Sequence, residues 1–377
     1  MQTFPSRPLP NFRCLRRALS SDTTFHNDLM FFDFGREALI RGLEELSVKP
    51  GATILIPAYM CNSTIEPLRN LGYDIIFFDI KEDLDVDLAM VKNLITNSKV
   101  EAILSVHYFG FPTNIQDLVR LCEKYNVKVV EDCAHSYLSK IQDKSVGLFG
   151  DIAIFSMRKT LAVPDGGALK LNSNISINAE AIEKKIQWLK ELVYIGSRML
   201  ESIIFFIGYP NLYSSRVDKI KQAFRNIQLN NHKNDSLIGR SLPIKSSFQL
   251  NAYLSDMSYM TYIIQRRRSN YNFLDKETKK LGFSTLFSQL PDGCAPQFFI
   301  LIDKKRQLVH WFKSHGIGAV TWPGPELVEE VASRRAEFPV TNYLNDHLVM
   351  LPIHQSLDLS DMLLIIDLLE KWVRSNE

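Results

Sequence analysis

Between about residues 34 and 172, short apolar runs alternate with segments of helical spacing. FGREALIRGLEEL places Ala38, Leu39, Leu43 and Leu46 on one helical face. KPGATILIPAY is a short apolar strand after a Pro-Gly turn. NSTIEPLRNLG reads as a helix ending at Gly72, DIIFFDI as a strand and VDLAMVKNLIT as a helix. EAILSVHYFG is a strand and NIQDLVRLCEKYN a helix with Asn114 as candidate cap; the strand VKVVEDCA follows, and GDIAIFSM and GGALKLN close the series. Runs apolar on every residue need cover on both faces. The pattern therefore predicts an α/β fold: a mostly parallel sheet flanked by helices. In such sheets ligands sit at the carboxyl ends of the strands. That singles out the polar residues just after the apolar runs: Tyr59, His107, Asp132, His135, Ser156 and Lys159.

From about 173 to 240 the pattern loosens. A long helix is expected from about 245 to Gly282, then a strand in CAPQFFILID, a helix in KKRQLVHWFKSHG, a strand or turn in GIGAVTWP, a strand in DHLVMLPI and a terminal helix in LSDMLLIIDLLEKWV. The reading is a large domain over 1–240, with a variable helical or loop segment at about 176–240, and a small carboxy-terminal α/β domain over 241–377.

Charge excludes some classes of partner. Lys+Arg 44 against Asp+Glu 42 leaves a net charge of +2, so nothing in bulk points to nucleic acid or an anionic membrane. Five scattered cysteines, none in C-x-x-C spacing, suggest neither a metal site nor a disulfide framework; a reducing, cytoplasmic setting is expected. The amino terminus, with prolines and arginines in place of an apolar core, reads as carrying no export signal. Arg198 and Glu201 interrupt the apolar stretch Glu191 to Pro210, which reads as a core or interface helix rather than a membrane contact.

Two stretches carry chemistry. In VVEDCAH, Asp132 ends a buried strand and His135 follows within a turn. A carboxylate there either caps a helix or holds a ring nitrogen protonated, as pyridoxal phosphate (PLP) requires of its pyridine. In SMRKTLAVPDGG, Ser156 offers a hydroxyl, Lys159 an amine and Pro164-Asp165-Gly166-Gly167 a turn. Alone, Arg158-Lys159 would be a solvated basic pair; beside Asp132 it fits the lysine that PLP enzymes need.

With these motifs in view, the chain resembles the DegT/DnrJ/EryC1/StrS family of PLP-dependent sugar aminotransferases, of fold type I. SVHYFGFP resembles the family's V-H-x-x-G segment, VVEDCAHS its E-D-x-A-[HQ] motif, and SVGLFGDIAIFS with the following lysine and DGGALKL its G-x-x-G-D…S-F…K…GG block. IQRRRSNYNFL resembles the R-R-x-x-Y helix that opens the small domain, and LPIHQSLDLSDMLLIIDLL the carboxy-terminal L-P-[LI]-H segment. The resemblance implies that Lys159 is the Schiff-base lysine and proton shuttle. It implies that Asp132 pairs with the pyridine nitrogen, that His135 lies near the ring and its phenolic oxygen, and that Ser156 touches the phosphate. Gly35 and Arg36 would supply phosphate-binding N–H groups at a helix start, and Tyr59 is the candidate to stack on the ring. It implies an amino-acid donor, glutamate first, a keto-sugar acceptor, a place in amino-sugar or surface polysaccharide biosynthesis, and a homodimer with its site between subunits. A PLP-dependent sugar dehydratase is disfavoured because such relatives replace the lysine by histidine. A catalytically silent relative that binds PLP or a sugar has no need of Asp132, His135 and Lys159 together.

Three departures stand out. Arg36 occupies the place of a small hydroxyl residue. Only Met157 and Arg158 separate Ser156 from Lys159, where the family has a longer segment. SLPIKSSFQLNAYL lacks a match for the asparagine that reaches the partner's phosphate, with Lys245 or Ser247 as stand-ins. Among the rest, His107 reads as a packed strand-end histidine or a substrate contact, and Trp322-Pro323 and His354 as residues of the substrate mouth or domain junction. Gln297 and Phe298 are assigned to the small-domain sheet, and Arg266 to Arg268 to a solvated or salt-bridged helix face.

Overall fold

The computed structural model describes residues 4–8, 28–172, 248–324 and 326–376, with isolated residues 194, 196 and 243. The segment 176–240, the stretch from Glu191 to Pro210, and Lys245 and Ser247 thus fall almost wholly outside the described residues.

The amino-terminal half builds one seven-stranded sheet. Its strands are β1 (Met30–Phe32), β2 (Thr53–Pro57), β3 (Asp74–Phe78), β4 (Val100–Val106), β5 (Lys128–Asp132), β8 (Ile152–Ser156) and β9 (Gly167–Leu171), in the order β1-β9-β8-β5-β4-β2-β3. Two short strands, β6 (Lys140–Ile141) and β7 (Lys144–Ser145), form a separate ribbon. The pairs from β3 through β2, β4 and β5 to β8 are parallel, whereas β9 runs antiparallel to both β8 and β1. The strand centres are buried: Leu55, Ile103, Val130 and Ile152 are all within 1% of full burial. This is the doubly covered sheet that the continuous apolar runs require. Its helices are α1 (Gly35–Glu45), α2 (Asn62–Asn70), α3 (Leu88–Asn97) and α4 (Ile115–Lys124). On α1 the buried residues are Ala38, Leu39, Gly42 and Leu43, one face as the spacing predicts. Asn114 stands at the N-cap of α4, but its side chain makes no capping bond and reaches Asp117 instead.

The carboxy-terminal half holds α5 (Phe248–Leu254), α6 (Met257–Lys280), β10 (Phe298–Ile302), α7 (Leu308–Ser314), α8 (Glu329–Ser333), α9 (Pro339–His347), β11 (Leu348–Pro352) and α10 (Leu359–Asn376). Strands β10 and β11 pair antiparallel, and their apolar residues join the same buried core as the large sheet. The single long helix expected from 245 to 282 is two helices. Asp256 breaks it, because its carboxylate accepts the Tyr259 N–H at 3.0 Å and the Ser258 hydroxyl at 2.6 Å, starting α6 afresh.

Several contacts lock the halves together. Asp79, just past β3, accepts from Val340 N, Thr341 N and Thr341 Oγ1 at 2.9, 2.9 and 2.6 Å, so a carboxylate of one half caps α9 of the other. Tyr59 Oη donates to the Trp322 carbonyl at 2.6 Å. The amino-terminal residues 4–8 lie on the carboxy-terminal half: Phe4 bridges to Ile317, and His354 Nε2 bonds the Pro5 carbonyl at 2.9 Å.

Candidate active site

Strands β5 and β8 are parallel neighbours, with Asp132 in register with Ile154. Their carboxyl ends therefore deliver Asp132 and Ser156 to one edge of the sheet. Ser156 is followed by a single 3₁₀ turn, Met157–Lys159, which brings Lys159 back over that edge. The turn is tied down by Met157 N to Gly166 O at 2.7 Å and by Thr160 N and Leu161 N to Met157 O at 2.9 and 2.7 Å. Gly166 has φ +117°, a conformation that a side chain opposes, and it starts the return along β9. At Gly167 an added Cβ would lie 2.3 Å from the Phe34 carbonyl carbon, so β9 passes against the start of α1 with no room for a side chain.

The groups at this edge shape one another's charge. Burial lowers the Lys159 amine below its usual range; Cys61 and Asp132 oppose that, while Arg158 and Arg7 add to it. Burial raises the Asp132 carboxyl, against the pull of Lys159, the Ala134 N–H at 2.9 Å and His107. Burial, and then Lys159, holds His135 well below the ordinary imidazole range, so its ring is neutral near neutral pH. The arrangement is an amine poised to lose its proton beside a buried carboxylate that gains from any cation placed against it.

His135 lies in an aromatic cage. It stacks on Phe109 with centroids 5.3 Å apart and planes at 14°, and meets the edge of Trp322 at 5.2 Å. Its Nδ1 is buried and has no hydrogen-bond partner among the described residues. Tyr59 is fully buried in the same cage, 4.7 Å from Trp322 and 5.7 Å from Tyr108, with its hydroxyl committed to Trp322. Its ring is thus packed among protein rings, and from the same loop Cys61 lies close enough to act on the Lys159 amine. The sequence reading does not single out Phe109, whose one signal is its place after His107 in HYFG. Trp322, assigned to the mouth or the junction, lines this cage.

At the other end of the edge, the first turn of α1 abuts Ser156: a Cβ on Gly35 would meet Phe155 O at 3.2 Å and Ser156 Cβ at 3.7 Å. Glu37 occupies the amides before the helix, accepting from Asp33 N and Phe34 N at 3.1 and 3.4 Å. The guanidinium groups of Arg36 and Arg158 both lie over the Phe34 ring, at 4.3 and 4.6 Å. Gly35, Arg36, Ser156 and Arg158 are thus gathered where a helix start favours an anion.

His107 serves the framework. Its Nδ1 accepts the Thr113 N–H at 3.1 Å, so Nε2 carries the proton and donates it to Glu131 Oε2 at 3.1 Å. Glu131 also accepts from Gly147 N, Phe149 N and Gly150 N at 2.9, 2.6 and 2.6 Å. Although ligand atoms of His107, Glu131 and Cys133 lie within 4.8 Å of one another, these bonds use the histidine and the carboxylate to hold the loop before β8. The arginine run departs from its expected solvated or salt-bridged face at Arg267. Arg267 is 1% exposed and Arg268 donates to the carbonyls of Pro291 and Cys294, while only Arg266 lies out over the Tyr262 ring. Carbonyl oxygens take up the Arg267 charge, and Arg268 adds to its two carbonyls an ion pair with Asp292 at 3.8 Å.

Residues 33–370 match the model of the DegT/DnrJ/EryC1/StrS aminotransferase family. Among curated proteins, GDP-perosamine synthase of Vibrio cholerae is 32% identical over 203 residues, covering 51% of this chain and 54% of that protein. The dTDP-4-amino-4,6-dideoxy-D-glucose transaminase of Shigella dysenteriae is 29% identical over 247 residues, covering 65% and 62%. The chain thus spans about half to three fifths of the length of these relatives. Among solved structures, Helicobacter pylori PseC, an aminotransferase involved in the biosynthesis of pseudoaminic acid, superposes with a TM-score of 0.70 at 17% identity over 100% of both chains. The aminotransferase TlmJ from Streptoalloteichus hindustanus gives 0.71 at 16% identity over 100% and 99%. These likenesses establish the fold, that of the PLP-dependent sugar aminotransferases.

Proposed function

Because the chain belongs to the DegT/DnrJ/EryC1/StrS aminotransferase family, whose cofactor is PLP, we propose that it is a transaminase moving an amino group from an amino acid, glutamate first, to a nucleotide-linked keto-sugar. The supporting observation is Lys159, an amine whose pKa burial lowers, on the turn that follows the parallel neighbour of the Asp132 strand and within electrostatic reach of that buried carboxylate. The named relatives that act on GDP- and dTDP-linked sugars support the acceptor class.

The residues present fit the cofactor. Lys159 provides an amine for its aldehyde, Asp132 an anion for its ring nitrogen, and buried His135 Nδ1 a polar atom in want of a partner. Gly35, Arg36 and Ser156 would take the phosphate at the start of α1. When bound, the cofactor supplies an electron sink for charge released at the donor's α-carbon. Asp132 keeps the ring nitrogen protonated, because a buried carboxylate without a cation is costly. Lys159, with its pKa lowered, removes the α-proton of the donor and returns a proton in the acceptor half-reaction. His135, held neutral by burial, hydrogen-bonds without adding charge. Trp322, Phe109 and Tyr59 keep water from this end of the site.

A homodimer with its site between subunits accords with the family resemblance. The described cysteines are unpaired, which supports a reducing, cytoplasmic setting; no helix among the described residues is long and apolar enough to cross a membrane. The test is an absorption spectrum with PLP for wild type and Lys159→Ala, before and after glutamate. The proposal expects a visible-edge band in wild type that glutamate bleaches and the variant lacks. A band indifferent to Lys159, or to every amino donor, overturns it.

A further inference from the structure

Arg267 is the largest fully buried side chain described, and it points at the active-site turn from the other half of the molecule. Its NH2 donates to the Thr160 carbonyl at 3.1 Å, one residue beyond Lys159. Its Nε donates to Gln355 Oε1 at 3.1 Å, which turns the Gln355 amide so that Nε2 donates to the same Thr160 carbonyl at 3.0 Å. Its NH1 is shared between the carbonyls of Pro296 and Gln297, at 3.3 and 3.4 Å. Gln297 N in turn donates to Phe109 O at 2.7 Å, and Phe109 is the ring on which His135 stacks. One guanidinium thus joins α6, the stretch after β11, the start of β10, the Lys159 turn and, through Gln297, the His135 cage.

Its partners are four neutral oxygens; among the described residues no carboxylate lies within ion-pair distance. Burial pulls its pKa to about 10, so it stays charged at neutral pH. A charge kept this deep by carbonyls alone needs donors in several fixed directions. A planar guanidinium has them, and a lysine ammonium, which burial neutralises readily, does not.

We infer that Arg267 is a positioning residue for the proposed reaction: with Gln355 it grips the Thr160 carbonyl and so sets where the Lys159 amine stands. This inference rests on the transaminase reading only in the use made of that amine.

The test needs neither cofactor nor turnover. Cofactor-free protein is labelled with limiting acetic anhydride across the alkaline range, and the pH profile of Lys159 acetylation is read by peptide mass spectrometry. In Arg267→Lys the turn loosens, and the amine's labelling pKa rises by about one unit towards the ordinary 10.5. Gln355→Leu removes the second donor onto Thr160 and the acceptor of Arg267 Nε but leaves the Arg267 NH2 bond to Thr160, and it shifts the pKa the same way by less. Arg268→Lys alters the neighbouring carbonyl-bound arginine and leaves it unchanged. In loaded enzyme, Arg267→Lys lowers kcat about tenfold while KM for the donor stays within about twofold. A folded Arg267→Lys protein with the wild-type Lys159 profile overturns the inference. If that variant does not fold, an unshifted profile in Gln355→Leu overturns it. Wild type that binds no PLP would refute the transaminase reading and leave the labelling comparison intact.

Discussion

Replacing Glu131 by glutamine keeps the shape of the side chain and removes its charge. In the native site Oε1 accepts from Phe149 N and Gly150 N, both at 2.6 Å, and Oε2 from Gly147 N at 2.9 Å and His107 Nε2 at 3.1 Å. Glutamine can preserve only one oxygen. Its NH2 must then face two donors, with the amide oxygen on either side. His107 cannot relieve the clash by changing tautomer, because its Nδ1 already accepts from Thr113 N. Hydrogen bonds to a charged group contribute about 1.5–3 kcal/mol each, and an orphaned buried donor costs about 1–3 kcal/mol. Losing two of the four, offset by local relaxation, gives about 3–5 kcal/mol. That is a large part of a typical stability of about 5–15 kcal/mol. The pH dependence has a definite sign. Burial raises the Glu131 carboxyl, but the bonds from His107, Gly150 and Gly147 outweigh it and hold the folded pKa below 4.5. Its contribution is therefore complete above the unfolded carboxylate's pKa and is lost as pH falls through the lower, folded value. Urea unfolding of cofactor-free protein, followed by tryptophan fluorescence at neutral pH and again in acid, reads both effects. A Glu131→Gln protein within about 1 kcal/mol of wild type at neutral pH would refute the reasoning.

Gly167→Ala drives a Cβ to 2.3 Å from the Phe34 carbonyl carbon, so the start of α1 moves off Ser156; PLP affinity by fluorescence titration falls about tenfold or more. Tyr59→Phe removes the bond to Trp322 O and costs about 1 kcal/mol by urea unfolding, with little change in PLP affinity. Asp79→Ala frees three donors at the head of α9 and destabilises the protein by about 2 kcal/mol on the same measure. Asp132→Asn preserves the Ala134 bond but removes the anion; PLP still binds, while the donor half-reaction in single-turnover kinetics slows by about a hundredfold or more.

What the sequence discloses and what it hides divide along physical lines. The parallel sheet is legible because each strand, buried on both faces, is written as an unbroken apolar run. That Asp132, Ser156 and Lys159 fall at one edge of the sheet is legible because they follow the strands' apolar runs. The break between α5 and α6 is hidden: Asp256 reads as one more polar residue of a helix until its carboxylate is seen on Tyr259 N. Helix α9 is hidden for a similar reason, since its cap, Asp79, lies far away in the chain. Arg267 is the clearest case. Within RRR it looks solvated, and what buries it are carbonyls at 160, 296 and 297 and an amide at 355, none of which marks the local sequence. The Tyr59 loop lies where the pattern puts it, and what the pattern hides is that its ring packs against Trp322, far along the chain.

The central claim is that Lys159 is the amine that takes the cofactor's aldehyde. It is tested most directly by borohydride reduction of PLP-loaded protein, followed by digestion and mass mapping of the pyridoxyl group. The account predicts the label on Lys159, stoichiometric and absent after glutamate has been added. Label on another lysine, or none on a folded protein saturated with PLP, would contradict it.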